Sequence, residues 1–199
     1  MKNIKGPSTN EVYYKMYDIN GNLKGKIEKS KEKDIQNNMW LRGVSCFVLN
    51  ENNQVLIEKR TNKGLTPGKL DLCSGHIDDD EVPTQAIIRE LREELGIPLE
   101  ESINVVKLTE RPEALIFESS GKNKNFLIDF YCLKRNKSNV TIQKQEVADI
   151  AWIDLEKAFK LIETGNTKFP SGENYKKIFE KVRELIDSRE IAEEDGARD

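Results

Sequence analysis

Behind Gly75 the chain carries Glu81 and then the cluster Arg89, Glu90, Glu93 and Glu94. An α-helix turns about 100° per residue, so Glu90 and Glu94 share one face and Glu93 is their neighbour. Like charges at i,i+4 cost roughly 0.2–0.5 kcal/mol, and the backbone dipole disfavours Glu93 and Glu94 near a helix C-terminus. A sequence chosen for helix stability alone would avoid this arrangement. A bound Mg²⁺ reverses the sign, because a hard cation takes its ligands from carboxylate oxygens and substrate phosphates.

The surrounding elements must position that face. The helix is expected from Pro83, a residue suited to the first helical turn, to Leu95, with Gly96 ending it. Thr84, Ile87, Ile88, Leu91 and Leu95 form the apolar arc expected to lie on a sheet. The loop from Gly75 to Asp80 brings a backbone carbonyl near the helix start, and glycine would permit the strained backbone this needs. Arg89 can pair with Glu93 or Glu81 and so fix the carboxylate rotamers.

Ahead of this unit, residues 11–29 read as a β-hairpin turning at Asn20-Gly21-Asn22, and residues 28–38 as a polar linker or loose helix. Leu41–Leu49 and Gln54–Arg60 read as a second hairpin, with a loop through Pro67-Gly68 and a short strand at Leu70–Ser74. Beyond the helix, Val105–Glu118 and Phe126–Arg135 read as long strands with Gly121 and Asn123 in their turn. Val147–Ile153 is a last strand. A helix opened by Asp154 and closed near Gly165 follows, then one from Ser171 to Ser188 with Tyr175, Ile178, Phe179, Val182, Leu185 and Ile186 on its apolar face. The expected class is α/β: a mixed sheet with flanking helices and an N-terminal hairpin extension.

The chain has 199 residues, 34% of them charged, with a formal net charge of −3. That near balance gives no basic footprint for nucleic acid, so long RNA is a poor substrate candidate. Cys46, Cys73 and Cys132 are odd in number and widely spaced, as expected of reduced thiols in a cytoplasmic protein. No signal peptide is read at the N-terminus, and no stretch approaches the roughly 18 apolar residues of a membrane span. No membrane partner is expected, and the hairpin extension could mediate a homodimer.

Glu-x-x-Glu-Glu alone is usually a solvated face. The longer string is different: Gly75, five residues, Glu81, seven residues, Arg89-Glu90, Leu91, Arg92, Glu93-Glu94, Leu95, Gly96, Ile97. At ordinary residue frequencies it arises by chance in about one window in ten million. It resembles the Nudix box, matched without a gap, and the resemblance extends over residues 41–165, including Ala151-Trp152-Ile153. It implies an α/β/α sandwich and hydrolysis of a nucleoside diphosphate linked to another moiety, with Mg²⁺ or Mn²⁺, by attack of water on phosphorus. It also implies Glu90 and Glu94 as side-chain metal ligands, the Gly75 carbonyl as a third, and Glu93 as ligand or base. Glu81 and Arg89 become orienting residues, and Glu146 a candidate acid from outside the box. Arg60, Lys63 and Lys69 could reach substrate phosphates, while Asp129 within Phe126–Tyr131 reads as a structural acid. The domain organisation that follows is an extension and linker over 1–38, a hydrolase domain over 39–188 and an acidic tail, expected disordered, over 189–199.

Two other readings compete. The N-terminal hairpin and Cys73-Ser74-Gly75-His76 are similar to Nudix proteins related to isopentenyl-diphosphate isomerase, whose site needs several histidines and a catalytic cysteine. His76 is the only histidine here, Cys73 lies one residue away from the expected place, and Lys124-Asn125-Phe126-Leu127 lacks that enzyme's paired glutamates. On a strand the one-residue shift turns the thiol to the opposite face. A non-catalytic nucleotide-binding module is the other reading, although such modules usually lose box carboxylates and none is missing. The substrate stays open among nucleoside di- and triphosphates, nucleotide sugars, ADP-ribose, dinucleoside polyphosphates and capped RNA. Trp40, Tyr13, Tyr14 and Phe169 are candidate base-stacking aromatics.

Overall fold

The computed structural model describes residues 12–62, 67–119, 122–135, 137–164 and 173–196. β1 (Tyr13–Tyr17) and β2 (Leu23–Glu28) form the expected antiparallel hairpin. Gly21 in its turn has φ +81°, a left-handed conformation that a glycine adopts without a Cβ clash. Within residues 28–38, Lys29–Asp34 is a 3-10 helix tied to the body of the protein, because Lys124 Nζ donates to Glu32 Oε1 at 2.9 Å.

β3 (Trp40–Leu49), β4 (Val55–Arg60), β5 (Leu70–Asp71) and β6 (Cys73–His76) precede helices α1 (Pro83–Leu95) and α2 (Leu99–Ser102). β7 (Val106–Lys107), β8 (Glu113–Ser119), β9 (Lys122–Lys134) and β10 (Val147–Ile153) follow, then α3 (Leu155–Glu163) and α4 (Glu173–Gly196). All ten strands join one mixed sheet. β3 is its spine: β9 runs parallel to it along one edge from Trp40–Asn125 to Leu49–Lys134, and β1, β6 and β4 share the other edge. Side chains of a strand alternate between faces. Val44, Cys46 and Val48 pack with Ile87, Leu91 and Leu95 of α1. Phe47 and Leu49 pack with Ala158 of α3 and with Tyr175, Ile178, Phe179 and Val182 of α4. Helices therefore cover both faces, as an α/β/α sandwich requires.

Several expectations change in detail. The Asn50 side chain organises the β3–β4 turn by accepting from the Asn52 and Gln54 N–H groups (3.0 and 2.9 Å). The expected hairpin nevertheless pairs only at Leu49–Val55, because β6 occupies that edge of β3 and β4 runs instead beside β10. The long strand read over Val105–Glu118 is broken between β7 and β8. There Thr109 Oγ1 accepts the Phe130 N–H in place of a ladder carbonyl (3.2 Å), and Pro112 has no N–H to give. Asn123 lies in β9 opposite Glu118, while Gly121 and Gly165 fall outside the described residues. The α4 backbone continues through Gly196, into the stretch read as a tail. Among the described residues no helix is long and apolar enough to cross a membrane.

Candidate active site

α1 has the expected ends. Gln85 Oε1 accepts the Val82 N–H (3.1 Å) and Pro83 opens the first turn. Gly96 closes the helix at φ 59°, its N–H donating to the Arg92 carbonyl (3.1 Å). The buried arc is rotated from the one expected. It contains Ala86, Ile87, Glu90, Leu91, Glu94 and Leu95, whereas Thr84 is exposed. β6 lies along this side of the helix, so two of the three carboxylates face protein instead of water. Glu94 Oε2 accepts the Ser74 N–H (3.2 Å), and Glu90 rests against Gly75.

Gly75 serves that contact by lacking a side chain, not by backbone strain, since its φ is not in the left-handed region. A Cβ there would lie 1.8 Å from Glu90 Oε1 and 2.1 Å from Glu90 Cδ, so only glycine leaves room for the carboxylate. Gly43 opposite is also tight: its Cβ would meet the Gly75 carbonyl oxygen at 3.1 Å.

Arg89 fixes the rest. Its Nε and Nη2 donate to the two oxygens of Glu81 (2.7 and 2.9 Å), a bidentate pairing that sets both planes. Nη1 donates to Glu90 Oε1 (2.7 Å) and Glu93 Oε2 (3.3 Å), and Nη2 also reaches the His76 carbonyl (3.0 Å). Both alternatives for Arg89 are thus realised at once. Burial pushes the Glu81 carboxyl up, but Arg89 and the Asp78 N–H outweigh it and hold it below the usual range. At Glu90 burial prevails over Arg89 and lifts the carboxyl to about 7, helped by Glu93 and Glu146. At Glu94, burial followed by the charges of Glu90 and Asp71 lifts it to about 8.

These residues border a cavity of about 290 Å³. Of the candidates named from the sequence, Gly75, Arg89, Glu90, Glu93, Glu146 and Arg60 line it. Glu81 stands one step back, behind Arg89. Glu94 lies behind Glu90, only 2% exposed, and with Glu58 and Cys73 it offers ligand atoms within 4.8 Å of one another. Glu146 is held at the rim where its carbonyl accepts the Thr61 N–H (3.0 Å). Arg60 Nη1 is anchored on buried Asp71 (3.0 Å), which also accepts the Ser74 hydroxyl (3.0 Å). Lys69 does not border the cavity. Its carbonyl is used by the Arg60 N–H (3.0 Å) where β5 joins β4, and its side chain is exposed. Lys63 and Phe169 fall outside the described residues.

Asp129 is fully buried, paired with Arg42 and with Lys107 (2.7 Å), and does not line the cavity. Cys73 is buried in the core under α1, and burial raises its thiol well above the ordinary value. Trp40 is core, and Tyr14 stacks on His76 (centroids 4.5 Å apart, 12° between planes). Sequence reasoning missed Lys29, Glu32, Asp78, Phe117, Phe126 and Ile128 on the cavity wall, and buried Glu58 behind it. A strand glutamate among apolar neighbours, Val55-Leu56-Ile57-Glu58, was the available signal for Glu58.

A profile of the NUDIX domain matches residues 39–174. Among curated proteins, 8-oxo-dGTP diphosphatase of Escherichia coli (strain K12) is 42% identical over 51 residues, 26% of this chain and 40% of that protein. Nucleoside triphosphatase NudI of Enterobacter sp. (strain 638) is 31% identical over 124 residues, 59% of this chain and 85% of the relative. The chain thus spans well under two thirds of the first relative and most of the second. Among solved structures, DR0079 from Deinococcus radiodurans superposes with a TM-score of 0.59 at 20% identity, covering 86% of this chain and 98% of that one, a likeness of fold. With the box intact and the profile matching more than half of its length, the chain belongs to the NUDIX domain family.

Proposed function

We propose that the protein is a divalent-metal-dependent hydrolase that cleaves the phosphoanhydride link of a nucleoside diphosphate derivative, with residues 39–188 as the hydrolase domain. The observation that carries this is the buried pair Glu90 and Glu94, lifted by burial to about 7 and 8. Burying two carboxylates side by side against β6, Glu90 on Gly75 and Glu94 on the Ser74 N–H, is costly, and a bound cation would offset that cost. The donor chemistry suits Mg²⁺ or Mn²⁺, with hard carboxylate oxygens from Glu90, Glu93 and Glu94, and Glu58 brings a further carboxylate within 4.8 Å of Glu94. When bound, the metal supplies charge neutralisation and Lewis-acid polarisation of the diphosphate. Names of relatives point the same way, one a diphosphatase acting on 8-oxo-dGTP and the other a nucleoside triphosphatase.

The chain's own residues do the remainder. Arg89 holds Glu81, Glu90 and Glu93 in one fixed array, so little reorganisation is needed when substrate arrives. Glu93, the most exposed of the three box carboxylates that Arg89 clamps, takes a proton from the attacking water, and Glu146 across the rim is a second acceptor in reach of the cavity. Arg60, immobilised by Asp71, turns positive charge toward the phosphates. Cys46, Cys73 and Cys132 are buried thiols outside any disulfide, which suits a reducing cytoplasm.

The test is release of phosphate or pyrophosphate from a panel of nucleoside di- and triphosphates, nucleotide sugars and dinucleoside polyphosphates with Mg²⁺ or Mn²⁺. At least one should turn over, and chelation should abolish it. Nucleotide binding without turnover of any panel member would identify a non-catalytic module instead.

A further inference from the structure

The cavity bridges the spine of the sheet. Arg60 ends β4 and Glu146 lies in the turn just before β10, on one side of β3, while Phe117, Phe126 and Ile128 belong to β8 and β9 on the other. Gly43 of β3 lies between, its missing Cβ within 3.7 Å of both Phe126 and Ile128. The far side therefore has an apolar floor in which Phe117 and Phe126 meet edge to face at 74°, and its remaining wall comes from the N-terminal extension as Tyr14, Lys29 and Glu32. Glu32 is held on two sides: Lys124 Nζ donates to Oε1 (2.9 Å), and His76 Nε2 stands 3.6 Å from the same oxygen. Burial pushes the Glu32 carboxyl up, but His76 and Lys124 outweigh it and hold it at about 2. An ionised carboxylate only accepts hydrogen bonds, and the Lys29 ammonium on the same wall only donates them.

We propose that Glu32 is a specificity-determining residue that reads the nucleobase, and that this base is guanine-like, with two adjacent N–H donors beside a carbonyl oxygen. The proposal rests on the hydrolase reading above and names its substrate class. Guanine sets N1–H and N2–H against the carboxylate and O6 against the ammonium. Adenine reverses the pattern, placing a ring acceptor toward Glu32 and an amino group toward Lys29. A ribose diol also offers two donors, but an aromatic floor suits a flat ring better than a sugar. A volume of about 290 Å³ is at the small end for a ligand site, enough for one nucleoside head and not for two. Dinucleoside polyphosphates would leave one head outside.

The experiment measures calorimetric binding of GMP, dGMP, IMP and AMP to the full chain with Mg²⁺, and kcat/KM for the matching triphosphates, in wild type and Glu32→Gln. Glutamine keeps the size and an acceptor for Lys124 but turns an N–H toward the base. Wild type should bind GMP and dGMP alike, about 10-fold tighter than IMP and more than that over AMP. Glu32→Gln should cost GMP about 10- to 100-fold, the range for a charge-assisted hydrogen bond, and move AMP by less than about 3-fold. AMP binding as tightly as GMP to wild type overturns the proposal without any variant. dGMP as weak as AMP overturns the base assignment in favour of the ribose, and equal loss for every nucleotide in Glu32→Gln makes Glu32 merely structural. If the base order holds and depends on Glu32 while no triphosphate is hydrolysed, the hydrolase reading fails and this inference stands. Turnover whose base preference ignores Glu32→Gln does the reverse.

Discussion

Gly75→Ala perturbs the site through one atom. The added Cβ would sit 1.8 Å from Glu90 Oε1, 2.1 Å from Cδ and 2.7 Å from Cγ, where real Cβ contacts stay beyond 3.0 Å. The carboxylate must retreat from 1.8 Å to at least 3.0 Å, by about 1.2 Å, and a catalytic group misplaced by ~1 Å costs about 10²-fold in rate. That is roughly 2.7 kcal/mol of transition-state stabilisation. The atoms that yield are the end of a flexible side chain, so the backbone of β6 and α1 stays. Loss of the Arg89 Nη1–Glu90 Oε1 bond (2.7 Å) is offset in part by release of a buried carboxylate toward the cavity. A net loss of ~2 kcal/mol lowers Tm by about 4–8 °C in a chain of this size. The assay is kcat/KM on the best panel substrate across a Mg²⁺ titration, with circular dichroism and thermal melting as the check on folding. The expected result is a folded protein with activity down about 100-fold or more and a raised Mg²⁺ requirement. A folded variant within about 3-fold of wild type would refute the reasoning, because Glu90 would then not act from its place against Gly75.

Three further outcomes follow from the same geometry. Glu94→Gln removes charge with little change of shape and should lower kcat/KM by ~10²-fold or more while Tm in metal-free buffer holds or rises; near-normal turnover would remove Glu94 from the metal-holding set. Arg89→Lys keeps the charge but cannot bridge Glu81, Glu90 and Glu93 together, so turnover should fall by about 10- to 100-fold even at saturating Mg²⁺, and full activity at saturation would reduce Arg89 to a metal-affinity role. The third concerns pH. Folding raises the Glu90 and Glu94 carboxyls to about 7 and 8, so the folded state holds protons that the unfolded chain releases above its ordinary carboxylate pKa. Metal-free stability should therefore fall as pH rises from about 5 to about 8, by roughly 1.4 kcal/mol for each tenfold gain in proton affinity that folding confers on either carboxylate. Mg²⁺ binds the ionised forms, so its stabilising effect should grow over that window; a metal-free Tm that stays flat across it by differential scanning fluorimetry would contradict the assignment.

Much of this was legible in the residues because the signals were local. Pro83 and Gly96 bracket α1, Asn20-Gly21-Asn22 turns the first hairpin, and the i,i+3,i+4 spacing of Tyr175, Ile178, Phe179 and Val182 marks the buried face of α4. What was not legible depended on which strand lies next to which. Thr84 fits an apolar arc and Glu90 a solvated face until β6 fixes the rotation of α1. Lys69 and Arg60 are near one another in sequence, yet Arg60 borders the cavity because Asp71 across β4–β5 pulls it inward. Nothing in Lys29-Ser30-Lys31-Glu32-Lys33-Asp34 distinguishes one charge from the next. Glu32 becomes special only because β8 and β9 bring Lys124 to it and β6 brings His76.

That meeting point also explains why the extension and the box form one site. His76 is the residue after Gly75: its carbonyl accepts from Arg89, while its ring lies between Tyr14 of β1 and Phe126 of β9. On one side, backbone geometry at residues 75 and 76 sets the Glu90 carboxylate and the Arg89 fork. On the other, the imidazole supports Glu32. The same two residues therefore set the distance between the carboxylates of the box and the wall facing the base. On the proposed reading, a substrate that touches both walls of this one cavity places its diphosphate at Glu90 when its base reaches Glu32. Binding energy gained from the base can in this way hold phosphorus in register with the attacking water, which raises kcat as well as affinity. Shortening the substrate to inorganic pyrophosphate should accordingly cost kcat and not only KM, and kcat equal to that of the nucleotide would separate the two halves of the site.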